Sequence, residues 1–319
     1  MSFELVELPA LSRFTVDRQE PLRGDAERLL QMWPKARVIT VDAHGRTLVA
    51  DRASRLVDRP ATEFGDEPPE GAVLLGEQDG VAYWAVLLAE AEAEGGPAAP
   101  AGRAWFGADL TDEPQWLDLR ACGALLDDTG AGLFTSAVAL FNWHRTAKFC
   151  AVCGGGKQAV KAGWVRVCSQ CGREEYPRTD AAVICLVHDG ADQVLLARGE
   201  GWPEGRYSVL AGFVEAGESL EACVAREIAE EVGVAVSAIG YLGSQPWPFP
   251  RSLMVGFQAV GDPGEPLRLA DGEIAQAKWV TRAEVRQALA VPGSVPDLLL
   301  APGASIAYRM IQSWAAVGD

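Results

Sequence analysis

Apolar and polar positions alternate with a short period near the start of the chain and with a helical period further on. ARVITVDAHGRTLVA (36–50) alternates on both sides of Asp42-Ala43-His44-Gly45, which predicts a β-hairpin. GVAYWAVLL (80–88) is a further strand candidate, followed by the acidic Gly/Pro/Ala stretch AEAEGGPAAPAG, expected to be an exposed loop. GALLDDTGAGLFTSAVALFNWHR turns helical, with Phe134, Ala137, Val138 and Phe141 on one face. From residue 181 strands and helices alternate. AAVICLVH and QVLLAR are strands joined by DGAD, again as a hairpin. SLEACVAREIAEEV is a helix opened by Ser219 and closed by Gly233, and VSAIGYLGSQ and LMVGFQAV are strands. Thr281 and Glu284 form a capping box before a short helix, and Ile306, Met310, Trp314 and Val317 mark a C-terminal amphipathic helix. Strands around one long helix indicate a layered α/β or α+β domain. The expected division is 1–145, 146–180 and 181–319.

Composition changes this picture little, but charge changes it considerably. At 49% hydrophobic and 23% charged residues, the 319-residue chain can build ordinary cores. No signal-peptide pattern or eighteen-residue apolar run occurs, so a cytoplasmic protein with no membrane partner is expected. The formal net charge of -16 opposes non-specific binding of nucleic acid and anionic lipid. It repels a phosphate-bearing substrate as well. Phosphate chemistry here therefore needs local cations.

Residues 212–234, GFVEAGESLEACVAREIAEEVGV, fit the Nudix box Gx5Ex7REUxEExGU (U aliphatic) at every fixed position. These are Gly212, Glu218, Arg226, Glu227, Ile228, Glu230, Glu231, Gly233 and Val234. A chance match at average composition is on the order of one in 10⁹ per start. On a helix Glu227 and Glu231 project one turn apart on one face, with Glu230 on its flank. Like charges at that spacing destabilise a helix, so a cation is expected to neutralise them. Oxygen ligands with open positions suit Mg²⁺ or Mn²⁺, which also bridge phosphates. The alternative, a solvated acidic face, does not account for both glycines, Glu218 and Arg226 in register. Arg226 is read as bracing the loop to the helix through Glu218. Leu220, Val224, Ile228 and Val232 form the adjacent core stripe.

Of seven cysteines, Cys122, Cys185 and Cys223 have apolar neighbours and are expected in the core. Cys150-x2-Cys153-x14-Cys168-x2-Cys171 has zinc-ribbon spacing, in which two knuckles close a structural four-thiolate Zn²⁺ site. A thioredoxin-like redox pair does not explain two CxxC motifs at ribbon separation. A nucleic-acid-binding ribbon is the rival, weakened here by few basic residues.

SQPWPFPRS (244–252) presents Trp247 and Phe249 among three prolines, with Gln245, Arg251 and Ser252 as polar groups. Taken alone it is either a packed aromatic corner or a stacking site for a planar base. A zinc ribbon, then YPR, then a Nudix box, then SQPWPFP resembles the NADH pyrophosphatase family of Nudix hydrolases from about residue 116 onward. The resemblance implies an α/β fold: a Nudix α/β/α sandwich with a mixed sheet, preceded by the zinc ribbon and an α+β N-terminal domain. It implies metal-dependent hydrolysis of the pyrophosphate of NADH or NAD⁺ to nicotinamide mononucleotide and AMP. It further implies Glu227 and Glu231 as metal ligands, with the Ala211 carbonyl and Glu273 completing the set and Glu230 in the catalytic group. Substrate contacts carried over are Tyr176, Phe213, Gln245, Pro246, Trp247, Pro248, Phe249, Pro250, Arg251, Ser252, Ala307 and, by a looser alignment, Arg120. A homodimer is implied, with Tyr176 serving the partner's site. Two positions depart from the family pattern: Ala181 replaces a proline after YPR, and Gly163 stands where some members carry a glutamate. The same cut would remove an NAD cap from RNA. A non-catalytic nucleotide-binding regulator is the remaining alternative, and it would require lost carboxylates, of which there are none.

Overall fold

The computed structural model describes residues 2–89, 110–269, 272–301 and 303–317. The Gly/Pro/Ala stretch 91–102, expected as a loop, lies outside these residues. Contacts divide the chain into two units. One comprises Leu11–Thr179 with Trp247–Arg251, and the other Met1–Ala10, Asp180–Pro246 and Ser252–Asp319.

The first unit opens with α1 (Ala26–Met32) and β1 (Arg37–Val41), β2 (Arg46–Ala50), β3 (Arg55–Leu56) and β4 (Asp58–Pro60). β5 (Val73–Gln78), β6 (Val81–Leu87), β7 (Gln115–Asp118), α2 (Leu119–Cys122) and α3 (Asp128–Thr146) follow. The hairpin of β1 and β2 forms as expected, and Asp42 fixes its turn by accepting from His44 N at 2.9 Å and Arg46 N at 2.8 Å. The helical stretch after residue 123 is shorter than its apolar pattern suggests. Asp127 caps α3 by accepting from Gly130 N, so the preceding LL segment turns instead. Phe134, Ala137, Val138 and Phe141 sit in the core, as the spacing predicted. The small ribbon β8 (Lys157–Val160), β9 (Val165–Cys168) and β10 (Glu174–Glu175) closes this unit as an antiparallel sheet.

The second unit holds β11 (Asp180–His188), β12 (Gln193–Gly199), β13 (Leu210–Phe213), α4 (Leu220–Val232), β14 (Val236–Trp247), β15 (Ser252–Gly261), β16 (Ile274–Thr281), α5 (Arg282–Ala290) and α6 (Ile306–Ala316). Its sheet runs β14-β15-β11-β12-β16, with β13 paired to β11. β11 is parallel to β15 and antiparallel to β12 and β13, so the sheet is mixed. Successive residues of β11 face opposite sides. Val183, Cys185 and Val187 meet α4 through Cys223, Val224, Ile228 and Val232. Ile184 and Leu186 meet α5 and α6 through Val285, Met310, Ile311 and Trp314. Helices therefore cover both faces, giving the α/β/α sandwich. Leu220 packs at the edge of the α4 stripe. β14 continues through Pro246 to Trp247, further than its expected end, which an edge strand tolerates.

The two units share a strand plan. β1 is antiparallel to β2 and β4 and parallel to β6, as β11 is to β12, β13 and β15. β7 pairs with β2 as β16 pairs with β12. They differ between β4 and β5, where a short 3₁₀ turn at Ala61–Phe64 stands in the place of α4.

Candidate functional site

The box helix is positioned at both ends by its own sequence. Ser219 accepts from Ala222 N, and Gly233 ends the helix in the left-handed region at φ 74°. A Cβ at Gly233 would also lie 2.9 Å from the Arg268 side chain, so the box glycine is needed twice over. Gly212 has a different reason. A Cβ there would fall 1.9 Å from the Glu227 carboxyl carbon, so any larger residue would displace that carboxylate from its place against β13.

Arg226 braces the loop as its spacing suggested. It grips both oxygens of Glu218, from Nε at 2.8 Å and from NH2 at 2.9 Å, and donates to the Phe213 carbonyl at 3.0 Å. Its NH1 lies 3.0 Å from Glu230 and 3.0 Å from Glu227. The Arg226 hydrogen bonds, with a backbone bond from Glu215, hold the Glu218 carboxyl down at about 2. Arg226 is therefore a structural clasp whose charge also reaches two box glutamates.

Glu231 is only 8% exposed, and its Oε2 is buried without a hydrogen-bond partner. Burial, then repulsion from Glu227, Glu273 and Glu230, pushes its carboxyl up to about 8. Burial raises Glu227 too, against the pull of Arg226. A cavity of about 630 Å³ is lined by Ala211, Phe213, Arg226, Glu227, Glu231 and Glu273, among others. Phe213 and Glu273 are exposed beside it, and Glu230 is on the flank with its side chain 60% exposed. Glu227, Glu231 and Glu273 share the cavity lining, and Glu230 is outside it. An orphaned buried carboxylate oxygen and an acidic lining fit an oxygen-seeking divalent cation such as Mg²⁺ or Mn²⁺.

A pH effect follows for zinc-loaded, magnesium-free protein. With its folded value raised from 4.5 to about 8, Glu231 keeps a proton that the unfolded chain has released. Stability therefore falls as pH rises through that window and is lowest above it. Urea midpoints across the window should decline more in the wild type than in Glu231→Gln; parallel profiles would refute this environment for Glu231.

In the other unit the four ribbon sulfurs lie within 4.8 Å of one another. Cys150 and Cys171 are 3.8 Å apart and Cys153 and Cys168 are 3.4 Å apart, close to the roughly 3.8 Å edge of a tetrahedron with Zn–S near 2.3 Å. Backbone N–H groups of Cys171 and Gln170 bring the Cys168 thiol down to about 6, the environment of a thiolate ligand. Gly154 and Gly172 adopt φ 73° and 71°, which closes each knuckle. Among the described residues these thiols are the group gathered as ready metal ligands, and they fit a structural Zn²⁺. Cys122, Cys185 and Cys223 are buried, as their neighbours indicated.

The aromatic loop is divided. Gln245 is fully buried and donates to the Ala304 carbonyl at 3.0 Å, and Ser252 is buried at the start of β15. Pro246 is half-buried in β14. In the first unit Trp247 and Phe249 meet edge to face at 4.9 Å and pack on its core. Arg120 stands 3.7 Å over the Phe249 ring. Asn142 holds the buried Pro248 through its carbonyl at 2.7 Å, with Pro250 exposed and Arg251 half-buried beyond. Tyr176 is exposed and donates to Glu174 at 2.5 Å. Ala307 is fully buried in α6, its N–H donating to Ser305 Oγ at 3.2 Å. The box neighbours Ala211, Phe213, Glu227, Glu231 and Glu273 are thus brought to one cavity, whereas Ala307 and Gln245 are enclosed. Sequence reasoning missed Trp202, which lines the same cavity; a tryptophan between two turn-forming glycines was its one signal.

Residues 178–297 match the NUDIX domain, 145–176 the NADH pyrophosphatase zinc ribbon domain, and 26–143 the NADH pyrophosphatase-like rudimentary NUDIX domain. The chain is 49% identical over 321 residues to the NAD-capped RNA hydrolase NudC of Mycobacterium tuberculosis, covering 99% of this chain and 97% of that one. It is 52% identical over 137 residues to the protein of that name from Pseudomonas aeruginosa, covering 43% of this chain and 49% of the relative. Among solved structures, a Nudix hydrolase from Nitrosomonas europaea shares 21% identity at a TM-score of 0.37, covering 48% of this chain and 83% of that one. With near-complete coverage at 49% identity and the ribbon and box domains both matched, the chain belongs to the NADH pyrophosphatase family of Nudix hydrolases.

Proposed function

We propose that the protein hydrolyses the pyrophosphate bond of NADH and NAD⁺ to nicotinamide mononucleotide and AMP. The observation that carries this is the cavity lined by Glu231, Glu227 and Glu273 together with an exposed Phe213. Glu231, with its unpartnered Oε2, and Glu227 are the primary ligands of Mg²⁺ or Mn²⁺, with Glu273 and the Ala211 carbonyl beside them. A bound divalent ion would neutralise the pyrophosphate and lower the pKa of the attacking water. Glu230, tied to Arg226 at 3.0 Å, stands on the flank and adds its charge to the same turn. Phe213 offers its ring to a planar base, and Gly212 keeps the β13 backbone close to the carboxylates.

The same cut serves NAD-capped RNA, a reading favoured by the relatives named for that substrate. A homodimer is part of this reading through family resemblance, with the exposed Tyr176 as the residue facing a second copy. A cytoplasmic site of action belongs to the same reading, as the sequence pattern suggested. No helix of the described residues is long and apolar enough to cross a membrane.

Product analysis with Mn²⁺ tests the reading. NADH and NAD⁺ should each yield the mononucleotide and AMP, and NAD-capped RNA should yield a 5′-monophosphate end. Release of free nicotinamide, or equal rates on ADP-ribose and nucleoside triphosphates, would overturn the assignment.

A further inference from the structure

The cavity that ends in the box carboxylates has a second aromatic wall. Trp202 lines it together with Phe213, and the residue is 38% exposed. Small residues, Ala197, Gly199, Ala211 and Gly212, line the same space. That exposed apolar surface is what a planar ligand in the cavity would cover.

The indole is held in place before any ligand arrives. The Trp202 backbone N–H donates to the Gly199 carbonyl at 3.3 Å, and the Trp202 backbone carbonyl accepts from Arg198 NH1 at 3.0 Å. A Cβ at Gly199 would stand 3.6 Å from the indole Cε2 and Nε1, so that edge of the ring is within contact distance of the glycine. The Arg206 guanidinium carbon is 4.8 Å from the ring centroid. Gly201 and Gly205, at φ 79° and 76°, shape the turn on either side. Glu200 N donates to the Glu273 carbonyl at 3.0 Å, which ties this loop to the segment bearing one of the cavity carboxylates. A packed ring on glycine and arginine would suffice for structure alone, but it would not need to border the ligand-sized cavity.

We infer that Trp202 is a substrate-binding residue that stacks on a planar base of the dinucleotide lying in this cavity. The inference rests on the proposed hydrolase reading and adds a specificity element to it. Recognition is by the π-face, so it acts on the base and not on the pyrophosphate. A ring pinned in advance loses little freedom on binding, which favours affinity.

The test compares full-length wild type, Trp202→Ala and Trp202→Phe. Truncation should raise the KM for NADH by ~5- to 100-fold with kcat within about twofold, in line with the loss of one base-stacking contact. Trp202→Phe should restore most of the affinity, and inhibition by inorganic pyrophosphate should be the same in all three. An unchanged KM in Trp202→Ala, or an equal loss of pyrophosphate inhibition, would overturn the inference. Wild type that hydrolyses no dinucleotide would instead overturn the hydrolase reading. Direct NADH binding, followed by its own fluorescence, then decides the role of Trp202: weaker binding to Trp202→Ala supports the contact, and equal binding refutes it.

Discussion

Glu231→Gln is expected to fold like the wild type and to lose about 10³-fold or more in kcat, roughly 4 kcal/mol of transition-state stabilisation. The amide keeps the shape of the side chain but cannot supply an anionic oxygen to a divalent cation. Its native surroundings are unusually tolerant of that loss. The carboxyl is buried, one oxygen has no partner, and three other glutamates raise its pKa. Without a cation, the ionised form is a cost to the fold, so the neutral amide removes repulsion instead of a bond. Magnesium-free Glu231→Gln should therefore melt at or above the wild-type temperature at pH 8. Loss of turnover with retained stability is the outcome to check, by steady-state kinetics on NADH beside a thermal melt. Wild-type turnover in the variant would mean that the chemistry lies elsewhere.

Removal of zinc should have the opposite character, a structural collapse. The ribbon strands are short, and β10 has only two residues. Such a module cannot bury enough apolar surface to order itself, and zinc supplies apparent binding energies of ~10–16 kcal/mol in comparable sites. The four sulfurs are already at the spacing of a tetrahedral site, with no position left for substrate. Cys168→Ser, or a strong chelator, is expected to lower bound zinc from one ion per chain and to abolish the low-temperature part of the melt. Magnesium should not restore it. A melting profile unchanged by chelation would show that the thiols do not hold the ribbon together.

The catalytic half was legible because its chemistry constrains consecutive residues. The requirement for a glycine beside Glu227, a capped helix and three carboxylates on one turn leaves a dense pattern between Gly212 and Val234. The same is true of the two knuckles, where cysteine spacing is the geometry. The N-terminal half was not legible as a Nudix relative, although it repeats the strand plan. There the connection after β4 is the turn Ala61–Phe64, with no carboxylate helix, so the motif that identifies the fold has gone while the sheet remains. Strand pairing between distant segments such as β1 and β6 leaves only alternation in the sequence, which many folds share. The aromatic loop shows a further limit. Its residue types left a packed corner and a stacking site equally open, and only the fold turns Gln245 inward to Ala304 and places Arg120 over Phe249. Trp202 went unnoticed for a related reason: nothing local distinguishes a cavity-lining tryptophan from one that packs in a turn.

The turn bearing Glu227 and Glu231 is where the divalent ions are expected to gather. A crystal grown with Mn²⁺ and examined by anomalous scattering tests it most directly. Peaks about 2.0–2.3 Å from carboxylate oxygens of Glu231 and Glu227, absent in Glu231→Gln, are the expected result. Ordered manganese bound only elsewhere on the chain, with that turn facing water, would contradict it.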